Sequence, residues 1–136
     1  MVSSKEDIRE FTNLLSGDLE NGEIEKVVSL FQYNKDLYQT IGILLSEGNM
    51  FVRLGVNLVL EELKEIKPDE VLNAIPLLEP LLSHENATVR GDAADLIGLI
   101  GNPEHIELIK PLLDDVNPQV REVVLEAIEN LQKEPD

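Results

Sequence analysis

His84 and His105 are the only histidines of the chain, and cysteine is absent. Imidazole and thiolate are the usual ligands of zinc and of redox metals. Two histidines far apart, with no second histidine at a helical ligand spacing, do not make such a set. No metal and no other cofactor is expected. The lack of thiols also excludes disulfides and thiol catalysis. Three arginines offer a different chemistry. Arg53, Arg90 and Arg121 each follow a valine, and a guanidinium fork binds carboxylate or phosphate in bidentate fashion. Glu47, His84 and Asp115 stand six residues before them. Asp115 and Arg121 make the most natural ion pair of the three. A ladder of structural ion pairs accounts for these arginines; an anion site built from the forks is the functional alternative. Catalysis needs titratable groups converging in a pocket, and no such set is visible, so no catalytic residue is assigned.

The remaining charge is acidic. Twenty-seven acidic residues against 11 basic ones give a net charge of −16. Such a surface repels phosphate backbones and anionic lipid, and favours basic protein partners. No nucleic acid and no membrane partner is expected. No apolar run approaches the roughly 18–20 residues that a membrane span needs. The N-terminal residues carry no apolar stretch of a secretory signal. A cytoplasmic location is the expectation. With 43% hydrophobic residues the chain is globular, and with 4% aromatics and no Trp its core must be aliphatic.

The arginines belong to a phrase that occurs three times, ending in Val52-Arg53, Val89-Arg90 and Val120-Arg121. The valines are spaced 37 and 31 residues apart. So are the paired leucines before them, at Leu44, Leu81 and Leu112. Two independent markers with the same pair of spacings are the signature of stacked helical repeats.

The elements follow from the apolar periodicity. Residues 4–16 read as a helix capped by Ser4, with Ile8, Phe11, Leu14 and Leu15 inward, ended by Gly17. A second helix covers 21–33. Asn34 caps a third over about 35–46, and Asn49 opens a fourth that runs to about Lys64. Residues 69–83 are helical, bent by Pro76 and Pro80. Asn86 opens 87–100, Asn102 and Pro103 open a helix to Asp114, and Asn117 and Pro118 open the last, to about Gln132. Phe31, Tyr33, Tyr38 and Phe51 are expected in the core, with the two tyrosine hydroxyls able to reach the surface.

The Leu-Leu step, the short polar turn, the Val-Arg near a helix start and the proline in the second helix together resemble HEAT repeats. They are most similar to the short HEAT-like kind of phycobilin lyases and of many small bacterial and archaeal proteins. The resemblance covers about 36–132. It implies an all-α fold, a right-handed α-α superhelix of about eight helices in stacked antiparallel hairpins. One domain over 1–136 is expected, with capping helices at 1–33, repeats at 34–132 and a tail at 133–136. It also implies that Arg53, Arg90 and Arg121 each bond the turn of a neighbouring repeat, and that the second helices line a concave face. Deoxyhypusine hydroxylases, HEAT-like enzymes, hold iron through His-Glu pairs near helix starts. Here Arg90-Gly91 occupies the comparable position, so that activity is not implied. HEAT-like DNA glycosylases use a basic groove and aromatic contacts, which this acidic chain lacks.

Aligning the second helices gives three rows: Asp36, Asn73 and Glu104; Gln39, Pro76 and Glu107; Gly42, Glu79 and Lys110. Positions three apart share a helix face. These rows are expected to form an acidic concave patch that takes a basic or amphipathic segment of another protein. The expected function is a non-catalytic interaction scaffold. The alternative is an accessory protein or lyase-like chaperone for a cofactor- or chromophore-bearing enzyme. In the last helix, Val123 replaces Gly55 and Asp92 of the earlier repeats, and Leu125 replaces Asn57 and Ala94. An apolar stack end without a polar cap predicts a C-terminal contact, a homodimer being one form of it.

Overall fold

Asparagine side chains start three of the helices that carry the repeat. In the computed structural model, which describes residues 4–133, the Asn49 Oδ1 accepts from the Val52 amide at 3.0 Å. Asn86 accepts from Thr88 at 2.8 Å. Asn117 accepts from Gln119 at 2.8 Å and from Val120 at 3.3 Å. Each bond satisfies an amide that the helix itself leaves orphaned, and each cap contributes about 1 kcal/mol over alanine. Among the described residues every element is helical. Eight are α-helices: α1 Lys5–Glu20, α2 Ile24–Tyr33, α3 Ile41–Glu47, α4 Met50–Ile66, α5 Ile75–Leu78, α6 Ala87–Ile100, α7 Ile106–Ile109 and α8 Pro118–Gln132. The tail expected at 133–136 lies, beyond Lys133, outside the described residues. The chain divides into two compact units, one ending at Leu77 and one starting at Leu78.

In the first unit, α1 packs on α2 and α4, and α2 also packs on α4. Leu19 of α1 lies against Gly55 of α4, where an added Cβ would stand 3.1 Å from the Leu19 Cβ. Gly17 therefore does not end α1 as expected. The helix runs on so that Leu19 completes its apolar face, and Leu15 and Leu19 are both buried. The chain turns at Asn21 and Gly22 instead, and Gly22 adopts φ +76° with no atom near its missing side chain. Leu14, expected inward, is 67% exposed. It sits about 100° round the helix from buried Leu15.

The second helix of each repeat is not one bent rod. Lys35–Thr40, Glu70–Ala74, Glu79–Ser83, Pro103–His105 and Lys110–Asp114 are 3-10 turns that flank the short α3, α5 and α7. Pro80 and Pro111 sit near the starts of two of them. Proline has no N–H for the i→i−4 ladder, so the chain tightens to i→i−3 bonds there. Lys35–Thr40 has no proline. It is held by Asn34, which accepts from the Asp36 amide at 3.2 Å, and by the buried Thr40 hydroxyl, which donates to the Leu37 carbonyl at 2.7 Å.

In the second unit α6 packs closely on α8. They approach closely at Gly98, where a Cβ would lie 2.6 Å from the Ala127 Cβ and 2.8 Å from its Cα. Buried Leu96, Ile97, Val124 and Leu131 fill the rest of this core.

Candidate functional site

The arginine positions build a turn network. Arg90 places its Nε 2.8 Å from the Asp115 Oδ2 and its Nη2 2.9 Å from Oδ1. Its Nη1 donates to the carbonyls of His84 and Glu85 at 2.9 and 3.1 Å. One guanidinium thus ties its own turn to the turn of the next repeat. Asp115 also accepts from the Asn117 amide at 2.9 Å. Arg121 donates to the Asp115 carbonyl at 2.6 Å. The pairing expected between Asp115 and Arg121 is therefore made through the backbone, and the carboxylate goes to Arg90. The side chain six residues before an arginine lies on that arginine's own turn, so its carboxylate reaches the preceding repeat more directly. Arg53 donates to the Gly48 carbonyl at 3.0 Å, while Glu47 pairs with Arg9 at 2.8 Å. The bidentate edge of Arg90, Nε with Nη2, is taken by Asp115, and its Nη1 by the turn carbonyls.

Arg90 and then the Asn117 amide hold the Asp115 carboxyl below the ordinary carboxylate range, against a smaller opposing effect of burial. A lowered folded pKa means that the unfolded chain takes up the proton first as pH falls. The carboxylate's stabilisation is present above its unfolded value near about 4 and is lost as pH drops through the folded value. Asp115→Asn is expected to lower the urea midpoint at pH 7. The gap to the wild type should narrow steadily below about pH 4. A gap independent of pH would show that the charge contributes nothing.

Both histidines serve their turns. The Nδ1 of His84 accepts from the Asn86 amide at 3.0 Å, and that of His105 accepts from the Asn102 amide at 2.9 Å. One nitrogen of each ring is thereby committed to the backbone. Among the described residues no three or more His, Cys, Asp or Glu side chains gather as metal ligands do. Nor, among them, is any helix long and apolar enough to cross a membrane.

The acidic rows are placed unit by unit. In the first, Lys35–Thr40 packs beside Glu70–Ala74. Gln39 and Asn73 are exposed there, Asp36 is half-buried, and Gly42 lies close to the Leu77 carbonyl. In the second, Glu104, Glu107 and Lys110 stand exposed at three-residue spacing along Pro103–Asp114. Glu104 and Lys110 lie on the 3-10 turns that flank α7 and Glu107 lies on α7 itself, and side chains three apart share a helix face. Lys110 lies 4.0 Å from Glu107. Glu79 is exposed on its own segment.

The C-terminal pair is not brought together. Residues two apart lie about 200° apart round a helix. Val123 is half-buried and lines a cleft of about 340 Å³ between α6 and α8, together with Gly91, Asp92, Asp95, Asn117 and Val120. Leu125 is 52% exposed on the opposite flank. The single apolar end expected from Val123 and Leu125 does not form.

The aromatic group divides as well. Phe31 and Tyr38 are buried edge to face, with centroids 5.1 Å apart and planes at 86°. Burial, and then Glu70, push the Tyr38 phenol up to about 12. Tyr33 and Phe51 are exposed. The sequence reading missed an exposed apolar face on α4, made by Met50, Phe51, Leu54 and Leu58. The signal was present, since these residues fall outside the set that lies inward.

No curated protein and no solved structure matches the chain. A family model described as HEAT repeats matches residues 52–129, more than half of its length. The thrice-repeated Asn cap, the arginine that ties one turn to the next and the paired short helices all fall in or beside that span, and the chain belongs to the HEAT-repeat family.

Proposed function

We propose that the protein is a non-catalytic interaction scaffold, and that a basic or amphipathic segment of another protein binds along Pro103–Asp114 of the second unit. The observation that carries this reading is the column of Glu104, Glu107 and Lys110, exposed beside one another in a chain of net charge −16. HEAT repeats present extended surfaces to their partners. A carboxylate column favours lysine and arginine, and like charge repels anionic competitors. Gln39 and Asn73, with half-buried Asp36, offer polar groups on the equivalent segments of the first unit, and Glu79 adds a carboxylate in the second. Arg90 ties its turn to the next, Arg53 and Arg121 brace their own turns, and none of the three is assigned to binding.

Pull-down from native cells, with wild type and the pair Glu104→Lys and Glu107→Lys compared side by side, tests this. The partner retained by the wild type should bind the reversed column about tenfold more weakly. Equal recovery by both would discard the column as the binding face.

A further inference from the structure

α4 presents four large apolar side chains to solvent. Met50, Phe51, Leu54 and Leu58 are 63%, 60%, 56% and 43% exposed. At about 100° per residue they share one arc of the helix with Glu61, Glu62 and Glu65. Val52, Val56, Val59, Leu60 and Leu63 occupy the other arc and are buried. Arg53 and Lys64 fall on a flank, outside the exposed arc. The outward face is therefore divided along its axis. Its first stretch, about 12 Å from Met50 to Leu58, is apolar, and the stretch that follows is acidic.

The repeat itself does not require this bulk. The same register holds Ala87, Thr88, Gly91 and Asp95 in the next repeat, and Pro118, Gln119, Glu122 and Glu126 in the last. Large apolar groups at these positions are a property of α4 alone. Contiguous exposed apolar side chains rimmed by charge mark a site of association.

We propose that this face docks an amphipathic helix of another protein, apolar at one end and rich in Lys or Arg at the other, lying along α4. Charge complementarity selects that occupant. Its apolar end covers Met50, Phe51, Leu54 and Leu58, and its cationic end lies over Glu61, Glu62 and Glu65. A second copy of this chain would bring two surfaces of charge −16 together, and an anionic bilayer meets the same repulsion. The inference rests on the reading of the chain as a protein-binding module, but it uses none of the residues of the acidic column.

The probe is a fluorescein-labelled synthetic peptide of about 16 residues, the length of the exposed face. Leucines at helical spacing fill its first half and lysines and arginines its second. It is titrated against the full chain by fluorescence anisotropy. Saturable binding is expected, weakened about tenfold or more by Leu54→Asp, a change of at least about 1.4 kcal/mol. Glu61→Lys with Glu65→Lys should also weaken it, as should added salt. Circular dichroism should show all these variants fully helical, since every altered side chain is exposed. Binding no tighter than that of a peptide with glutamates in the second half would overturn the proposal. So would equal binding by Leu54→Asp, or a wild-type dimer that Leu54→Asp disperses. Loss of binding in the Glu104→Lys and Glu107→Lys pair, with full binding in Leu54→Asp, would also reject it. That result would place the peptide on the acidic column and leave the scaffold reading standing.

Discussion

Gly98→Ala is expected to destabilise the second unit by about 1–3 kcal/mol, although alanine is the better helix former. The added methyl would lie 2.6 Å from the Ala127 Cβ and 2.8 Å from the α8 backbone at its Cα. Real Cβ atoms do not approach so closely, so α6 and α8 must separate. The pair is packed along its length by Leu96, Ile97, Val124 and Leu131, and a shift at one point loosens the others. Gly91 supplies the control within the same helix. A Cβ there meets nothing within 4 Å. Gly91→Ala should therefore show the propensity gain alone and raise stability by about 0.4–1 kcal/mol. Urea midpoints of the two variants on opposite sides of the wild type are the expected result. A stabilising Gly98→Ala would mean that the two helices are not in contact at that point.

Phe31→Ala is expected to remove about 3–5 kcal/mol from the first unit. Phe31 is 1% exposed and closes against the buried Tyr38 ring at 5.1 Å. Truncation leaves a ring-sized cavity and strips Tyr38 of its edge-to-face neighbour, and that pair adds to the burial itself. Tyr33→Ala, two residues along on the same helix but 88% exposed, should stay within about 0.5 kcal/mol of the wild type. The two substitutions, followed by chemical denaturation, separate aromatic packing from aromatic content. Equal midpoints for both would refute the assignment of Phe31 to the core.

The repeat was legible because its signals are local. An asparagine before a helix, a glycine or proline at its edge and apolar residues at three and four apart each act within a few residues. They located the boundaries of α4, α6 and α8 to within about two residues. The reading failed where the deciding partner is distant. Gly17 looks like a stop signal, yet Leu19 finds Gly55 of α4 and the helix continues. Asp115 has Arg121 near it in sequence, but the carboxylate is taken by Arg90 from the preceding repeat. Pro76 and Pro80 announced a distortion, but not its resolution into alternating 3-10 and α turns. The candidate surfaces show the same division. The three-residue spacing of Glu104, Glu107 and Lys110 is visible in the sequence, and all three are exposed in the structure. The apolar face of α4 was hidden because α4 has more apolar residues than one buried stripe can use. Periodicity assigned the inward set and left Met50, Leu54 and Leu58 without a place, while Phe51, expected in the core with the other aromatics, joins them at the surface.

The turn between α1 and α2 has one further consequence. Nothing stands within 4 Å of a side chain built on Gly22, yet its φ of +76° lies in the left-handed region. The position therefore disfavours L-residues on handedness rather than on room, by roughly 1–2 kcal/mol. A D-residue has the opposite preference, and the φ of +76° is its favoured side. The joint between the first two helices selects by chirality alone.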